Sequence, residues 1–236
     1  MSSHPLFLTT IKPTNLMKAV IFDMDGVIVN TNPHHRLAWR EYYQRHGKTL
    51  SDEDFLRHVS GKHNTDIIAH LFAGQTLTAD EVLQLGNEKE ALFRELYRPH
   101  LVPVAGLTAF LKALKTAGIL MAVATSAPVE NLDFVIDALG LRPYFDALLN
   151  ESMVSRPKPD PEIYQQAMAK LGVEPGESVV FEDSMTGIQA ARASGATVVG
   201  VATTQTPDEL RPWVDEVIRD FTNMTPDRLH ELSKVF

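Results

Sequence analysis

The chain has 236 residues, 44% hydrophobic and 22% charged, ordinary globular proportions with enough material for a sizeable core. Its formal net charge of −8 argues against nucleic acid or an anionic membrane surface as the main partner, and the lack of cysteine excludes a disulfide framework, a thiolate metal site and a thiol nucleophile. No run approaches the ~20 apolar residues of a membrane span. "MSSHPLFLTTIKPTNL" lacks the basic start and long apolar stretch of a signal peptide, so the expectation is a cytoplasmic protein with residues 1–17 as an N-terminal extension.

Lys18 to Phe22 reads as a strand that runs into "DMDG". From Pro33 to Pro99 the texture turns helical. "HHRLAWREYYQRHG" sets Leu37, Trp39, Tyr42 and Tyr43 roughly on one side and ends at Gly47. "TADEVLQLGNEKEALFRELY" opens with a capping box, Thr78 with Glu81, and carries Val82, Leu85, Leu92 and Leu96 at helical spacing. Beyond "RPHLVPVAG", Leu107, Phe110, Leu111 and Leu114 make one helical face that Gly118 closes. Then "ILMAVAT" reads as a strand, residues 128–139 as a helix and "FDALLN" as a strand. "PDPEIYQQAMAKLG" is a helix with Pro161 near its start, "SVVFED" a strand, "SMTGIQAARASG" a helix and "TVVGVA" a strand. This alternation predicts an α/β, doubly wound parallel-sheet core with an α-helical cap inserted directly after the two aspartates. The cap is expected over 33–100, and the core over 18–32 and 101–236.

Ligands of such sheets bind beyond the carboxyl ends of the strands. Those ends carry Asp23 and Asp25, Thr125 and Ser126, and Glu182 and Asp183, with Lys158 in a fourth connection, "RPKPDPEIY". Each has an ordinary alternative as a turn or helix cap. Asp-x-Asp is the strongest signal, because residues two apart in an extended chain face the same way and like carboxylates repel without a cation. Oxygen ligands without cysteine or paired histidine favour a hard cation, Mg2+, with Asp183 completing the set and Glu182 beside it. Such a site with Lys158, a threonine hydroxyl and helix N-termini suits a phosphoryl group.

The four motifs "DMDGVIVNT", "VATSA", "RPKPDPEIY" and "VFEDSMTGIQAA" occur in order, and in them the chain resembles the haloacid dehalogenase superfamily phosphotransferases, in the subgroup of β-phosphoglucomutase and sugar-phosphate phosphatases. The resemblance implies that Asp23 is a nucleophile forming an aspartyl-phosphate and that Asp25 is general acid, then base. It implies that Thr125 binds the phosphoryl oxygens and that Lys158 neutralises charge and orients Asp23. It implies Mg2+ on Asp23, Asp183 and the backbone carbonyl of Asp25, with Glu182 adjacent. Thr31 matches a hinge threonine, and His35, Trp39 and Lys89 align with cap or hinge groups that choose the substrate. The alternatives are helix packing for Trp39, a surface position for His35 and a solvated charged run for Lys89.

Two positions depart from the mutase pattern. "SGKHNTDII" puts Asn64 where the mutase cap has an arginine for a second phosphate, and "SAPVE" after Thr125 lacks its Ser-Lys pair. "HGKT" and "SGKH" are no P-loop, since neither follows a strand and the upstream glycine is missing. The expectation is therefore a Mg2+-dependent phosphatase, a monomer, acting on a small phosphorylated metabolite. The β-phosphoglucomutase isomerase is the alternative, and a non-catalytic phosphate binder the third reading.

Overall fold

The computed structural model describes residues 17–60 and 62–232. Strand β1 (Ala19–Phe22) is followed by four consecutive helices, α1 (Asn32–Arg45), α2 (Asp52–His58), α3 (Asn64–Leu71) and α4 (Ala79–Tyr97). An alternating run follows: α5 (Leu107–Thr116), β2 (Leu120–Ala124), α6 (Val129–Ala138), β3 (Ala147–Leu149), α7 (Glu162–Leu171), β4 (Ser178–Glu182), α8 (Met185–Ala193), β5 (Thr197–Val201), α9 (Pro207–Leu210), β6 (Glu216–Ile218) and α10 (Pro226–Leu232). Among the described residues the strands form one sheet in the order β3-β2-β1-β4-β5-β6, each neighbouring pair parallel.

The doubly wound α/β arrangement follows from the strand sequences. Alternate residues of each strand face opposite sides. Val20, Phe22, Met121, Val123, Val179 and Phe181 enter one apolar cluster with the α5 face Leu107, Phe110, Leu111 and Leu114. Ala19, Ile21, Ala122, Ala124 and Val180 enter a second, with Ile163 and Ala167 of α7 and Ile188 of α8. Both faces of the sheet are therefore dry, which is why its strands read as near-continuous apolar runs. Phe22 stacks on Phe181 at a 5.3 Å centroid distance. The helices α1 to α4 bury a third cluster of their own, centred on Trp39, Tyr42, Tyr43, Ile67, Ile68 and Leu92.

The chain enters and leaves the four-helix segment through two strips that lie side by side. Val29 bridges Pro103 in antiparallel fashion, and the Val104 N–H donates to the Ile28 carbonyl at 2.9 Å. Central β1 is thus tied to both crossings, and the segment stands over the carboxyl end of the sheet.

Several local expectations change. Leu37 is 53% exposed, so the buried stripe of α1 is Ala38, Trp39, Tyr42 and Tyr43 without it. β3 is confined to Ala147–Leu149, and the short edge strand β6 and helices α9 and α10 had no sequence counterpart. Met17 is buried in the first sheet-side cluster. The remaining residues of the extension expected over 1–17, residues 1–16, lie outside the described residues. The Thr78–Glu81 capping box at the start of α4 is formed. No helix among the described residues is long and apolar enough to cross a membrane.

Candidate active site

β1 delivers Asp23 to the centre of the sheet edge, where its N–H donates to the Phe181 carbonyl at 3.0 Å. The chain then turns tightly, with the N–H groups of Ile28 and Val29 donating back to the Met24 carbonyl. Gly26 sits in this turn at φ +80°, and a Cβ there would lie 1.9 Å from Asp183 Oδ2, so only glycine lets the turn close on that carboxylate. The same economy recurs in α8, where a Cβ on Gly187 would fall 1.6 Å from Glu182 Oε1.

β4 ends in Glu182 and Asp183, both buried. Lys158 arrives from the connection before α7 and is 7% exposed. Its ammonium donates to Asp23 Oδ1 at 2.6 Å, to Glu182 Oε1 at 2.8 Å, to the Ala124 carbonyl at 3.1 Å and to the Tyr164 hydroxyl at 2.8 Å. Burial opposes the charged lysine, but the Asp23 and Glu182 carboxylates outweigh it and hold its pKa above the ordinary lysine value.

Glu182 is saturated. Oε1 also accepts from the Tyr164 hydroxyl at 2.8 Å, and Oε2 accepts from the N–H groups of Asp183 and Ser184 at 2.9 and 3.0 Å. Burial would raise its pKa, but Lys158 and these donors hold it below the usual carboxylate range. Asp183 has no such partner at Lys158: burial first, then the charge of Glu182, pushes its pKa up to about 8, although Thr204 donates to its Oδ2. Asp23 is likewise pushed well up by burial, against the pull of Lys158 and with the charges of Glu182, Asp183 and Asp25.

Asp23, Glu182 and Asp183 each offer an oxygen within 4.8 Å of the others. One ammonium cannot balance that much negative charge in so dry a place, and a hard divalent cation with oxygen ligands fits it. The Asp25 side chain lies outside this trio, in keeping with an expectation that involved only its backbone carbonyl. It turns toward the helices instead, where Oδ1 accepts from the Thr31 hydroxyl at 2.6 Å and lies 3.8 Å from His35 Nε2.

Thr125, at the end of β2, is buried, and its Oγ1 accepts from the Ala127 N–H at 3.0 Å, which leaves the hydroxyl proton free to donate. Ser126 beside it is exposed.

Of the cap residues singled out, the structure gathers His35 and Lys89. The His35 ring stacks on Phe93 with centroids 3.7 Å apart, and Lys89 Nζ lies 2.9 Å from His35 Nδ1. Lys89 is 1% exposed, contrary to the solvated-run alternative, because α4 is wedged between α1 and the sheet domain. Trp39 is buried in the cluster of the four-helix segment with Lys89 Nζ 4.7 Å from its ring centre, so it serves as packing and as a cation–π platform. Asn64 donates to Glu90 Oε1 at 2.8 Å. That bond ties the amide of Asn64 to the same carboxylate oxygen that holds Lys89.

Sequence reasoning missed Tyr164, Glu90, Asn131 and Arg94. Tyr164 had a local signal, six residues after Lys158 at the end of a motif already singled out. The other three had none, since their significance lies in contacts between distant segments.

The chain is similar to several known proteins. The family model described as haloacid dehalogenase-like hydrolase matches residues 17–195. A "Phosphorylated carbohydrates phosphatase" of Thermotoga maritima is 34% identical over 182 residues, 76% of this chain and 82% of that protein. The "Beta-phosphoglucomutase" of Bacillus subtilis is 31% identical over 225 residues, 91% of this chain and 95% of its own. Among solved structures, a family IA, variant 3 hydrolase from Entamoeba histolytica superposes with a TM-score of 0.86 at 30% identity, covering 92% of this chain and 100% of that one.

Proposed function

The chain belongs to the haloacid dehalogenase-like hydrolases, and we propose that within this family it is a Mg2+-dependent phosphatase that hydrolyses a small sugar-phosphate monoester through an aspartyl-phosphate on Asp23. It is a phosphohydrolase or phosphotransferase of that family's type. The observation that carries the finer reading is the asymmetry of the two aspartates. Asp23 is pinned through Oδ1 by Lys158, which leaves Oδ2 to attack, whereas Asp25 is pinned by Thr31 and faces the helical segment, from which the leaving group would come.

The Asp23 carboxylate attacks phosphorus, and the P–O bond to the leaving alcohol breaks as Asp25 gives that oxygen its proton. Asp25, now a carboxylate, takes a proton from water as the water oxygen attacks the same phosphorus, which releases phosphate and restores Asp23. Thr125 donates to a phosphoryl oxygen, and Lys158 holds Asp23 and offsets charge. Asp23, Asp183 and the Asp25 carbonyl would hold Mg2+, with Glu182 anchoring Lys158 beside them, and the bound ion would neutralise charge on the transferring group.

Residues 33–100 act as the cap that chooses the alcohol. The Thermotoga maritima relative's named substrates, phosphorylated carbohydrates, support a sugar-like group. The isomerase alternative rests on the Bacillus subtilis relative. It is disfavoured because Lys89 is already neutralised by Glu90 at 2.7 Å and Asn64 is uncharged, so neither grips a second phosphate as an arginine would. A panel of phosphorylated metabolites assayed for phosphate release tests the reading. Release from at least one sugar phosphate is expected, and no release from any ester would overturn it.

A further inference from the structure

Lys89 and Glu90 are consecutive residues of one helix, and both are buried. Consecutive helical residues point about 100° apart, so α4 is covered on two sides. On one side lie Trp39 and His35 of the helical segment. On the other lies α6, the helix that follows the Thr125 turn. There Glu90 Oε2 accepts from Asn131 Nδ2 at 2.7 Å, and Asn131 Oδ1 accepts from Arg94 Nη1 at 2.7 Å. Asn131 is 1% exposed. Glu90 and Arg94 sit one turn apart on α4 and take the two ends of one amide, which fixes its orientation.

We propose that Glu90, Asn131 and Arg94 form a polar clamp between the helical segment and the sheet domain, and that the clamp positions Lys89 over Asp25. The inference rests on reading Lys89 as a group that faces the ester. Glu90 Oε1 holds Lys89 Nζ at 2.7 Å and Asn64 at 2.8 Å, Lys89 reaches His35 at 2.9 Å, and His35 lies 3.8 Å from Asp25. The position of α6 is thereby passed to the proton donor through four side chains. None of the clamp residues reaches Asp23, so they are positioning residues. A polar seam also suits a joint that opens. Its groups can be hydrated when parted, whereas an apolar seam would expose its surface to water.

The pattern of donors and acceptors supplies a test. In Asn131→Asp, a second carboxylate meets Glu90. Adding Glu90→Gln transposes amide and carboxylate, so that Gln donates to Asp, Asp pairs with Arg94, and the Gln oxygen still accepts from Lys89 and Asn64. Lysine acetylation by an N-hydroxysuccinimide ester, read residue by residue by peptide mass spectrometry, reports opening at Lys89. Lys158, tied by its own bonds in the sheet domain, reports global unfolding.

Asn131→Asp should speed labelling of Lys89 by about tenfold, the scale of one mismatched buried polar pair, with Lys158 unchanged. Glu90→Gln added to it should bring the rate back to within about threefold of the parent, even though losing the Glu90 charge by itself makes an amine more reactive. The clamp is overturned if Asn131→Asp leaves Lys89 unchanged, if Lys89 and Lys158 speed up together, or if the double variant labels as fast as the single. Labelling needs no turnover. A failed clamp therefore leaves the phosphatase reading standing, and a protein that cleaves no ester can still pass this test.

Discussion

Lys158 and Asp23, 135 positions apart in the chain, are joined by a 2.6 Å hydrogen bond. The bond leaves the second oxygen of Asp23 unengaged by Lys158. Asp23→Asn keeps the shape of this contact but removes the proposed nucleophile, since an amide cannot form an acyl phosphate. Turnover should fall below about 1% of wild type, a loss typical of removing a nucleophile, while the urea midpoint holds or rises because one of several crowded carboxylates is gone. Residual turnover of a tenth or more, on the order of what a single lost hydrogen bond costs, would sink the mechanism.

Tyr164 is fully buried, accepting from Lys158 and donating to Glu182, both at 2.8 Å. Tyr164→Phe retains the ring and deletes the hydroxyl. It should cost about 0.5–1.5 kcal/mol of stability and lower kcat by about tenfold with little change in KM, because Lys158 loses an anchor while the cap is untouched. Steady-state kinetics and urea unfolding measure both, and an unchanged kcat would show that the other bonds of Lys158 suffice.

Chelation with EDTA should abolish activity, and Mg2+ should restore it. Ca2+ should support it poorly, since its larger and looser oxygen shell misplaces the groups around Asp23. Mg2+ should also raise the thermal midpoint, because it binds the folded acidic cluster and not the unfolded chain. Full activity in metal-free buffer would refute the assignment of Asp23 and Asp183 as ligands.

With β-glucose 1-phosphate as substrate, phosphate release should outrun formation of glucose 6-phosphate, even with a bisphosphate primer. Holding a distal phosphate takes charge-assisted bonds worth roughly 1.5–3 kcal/mol each, and Asn64 and the neutralised Lys89 do not supply them. Rapid primer-dependent isomerisation with little phosphate released would reverse the order of the two readings.

Glu90 has its pKa held down to about 2: burial would raise it, but Lys89, His35 and Asn131 outweigh that effect. A carboxylate depressed in the folded state stabilises the protein fully above its unfolded pKa and loses that contribution as pH falls through the folded value. Burial lowers the pKa of Lys89 at the same time, so the pair contributes less than the Glu90 shift alone implies. The unfolding free energy of wild type relative to Glu90→Gln should therefore shrink as pH drops from about 4.5 toward 2, by at most on the order of 3 kcal/mol. Urea titrations at pH 5 and pH 3 measure the difference, and a gap that stays constant or widens would refute the ion pair.

The sheet edge was legible because its chemistry is local. Asp23 and Asp25 in one strand end, and Glu182 and Asp183 in another, announce themselves by spacing, and β1, β2, β4 and β5 announce themselves by apolar runs. The four-helix segment was legible only as helices. Lys89 stands in the charged run "NEKEA", which reads as a wet face, yet both it and Glu90 are dry because α4 is covered on two sides. Asn131 looks like an ordinary residue of an amphipathic helix, and only its meeting with a residue 41 positions earlier gives it a role. Leu37 misled for the converse reason, since a helical stripe wider than its partner leaves one edge in water.

The two strips that carry the chain into and out of the four-helix segment are bonded to each other, Val104 to Ile28 and Val29 beside Pro103. An insertion whose ends already touch adds little to its host's loop-closure cost, because the loop it replaces could be a few residues long. Whole caps could thus be exchanged by recombination at this doorway while Asp23 and Lys158 keep their partners in the sheet domain. A lineage built this way would explore new alcohols by trading one module while inheriting the phosphoryl chemistry intact.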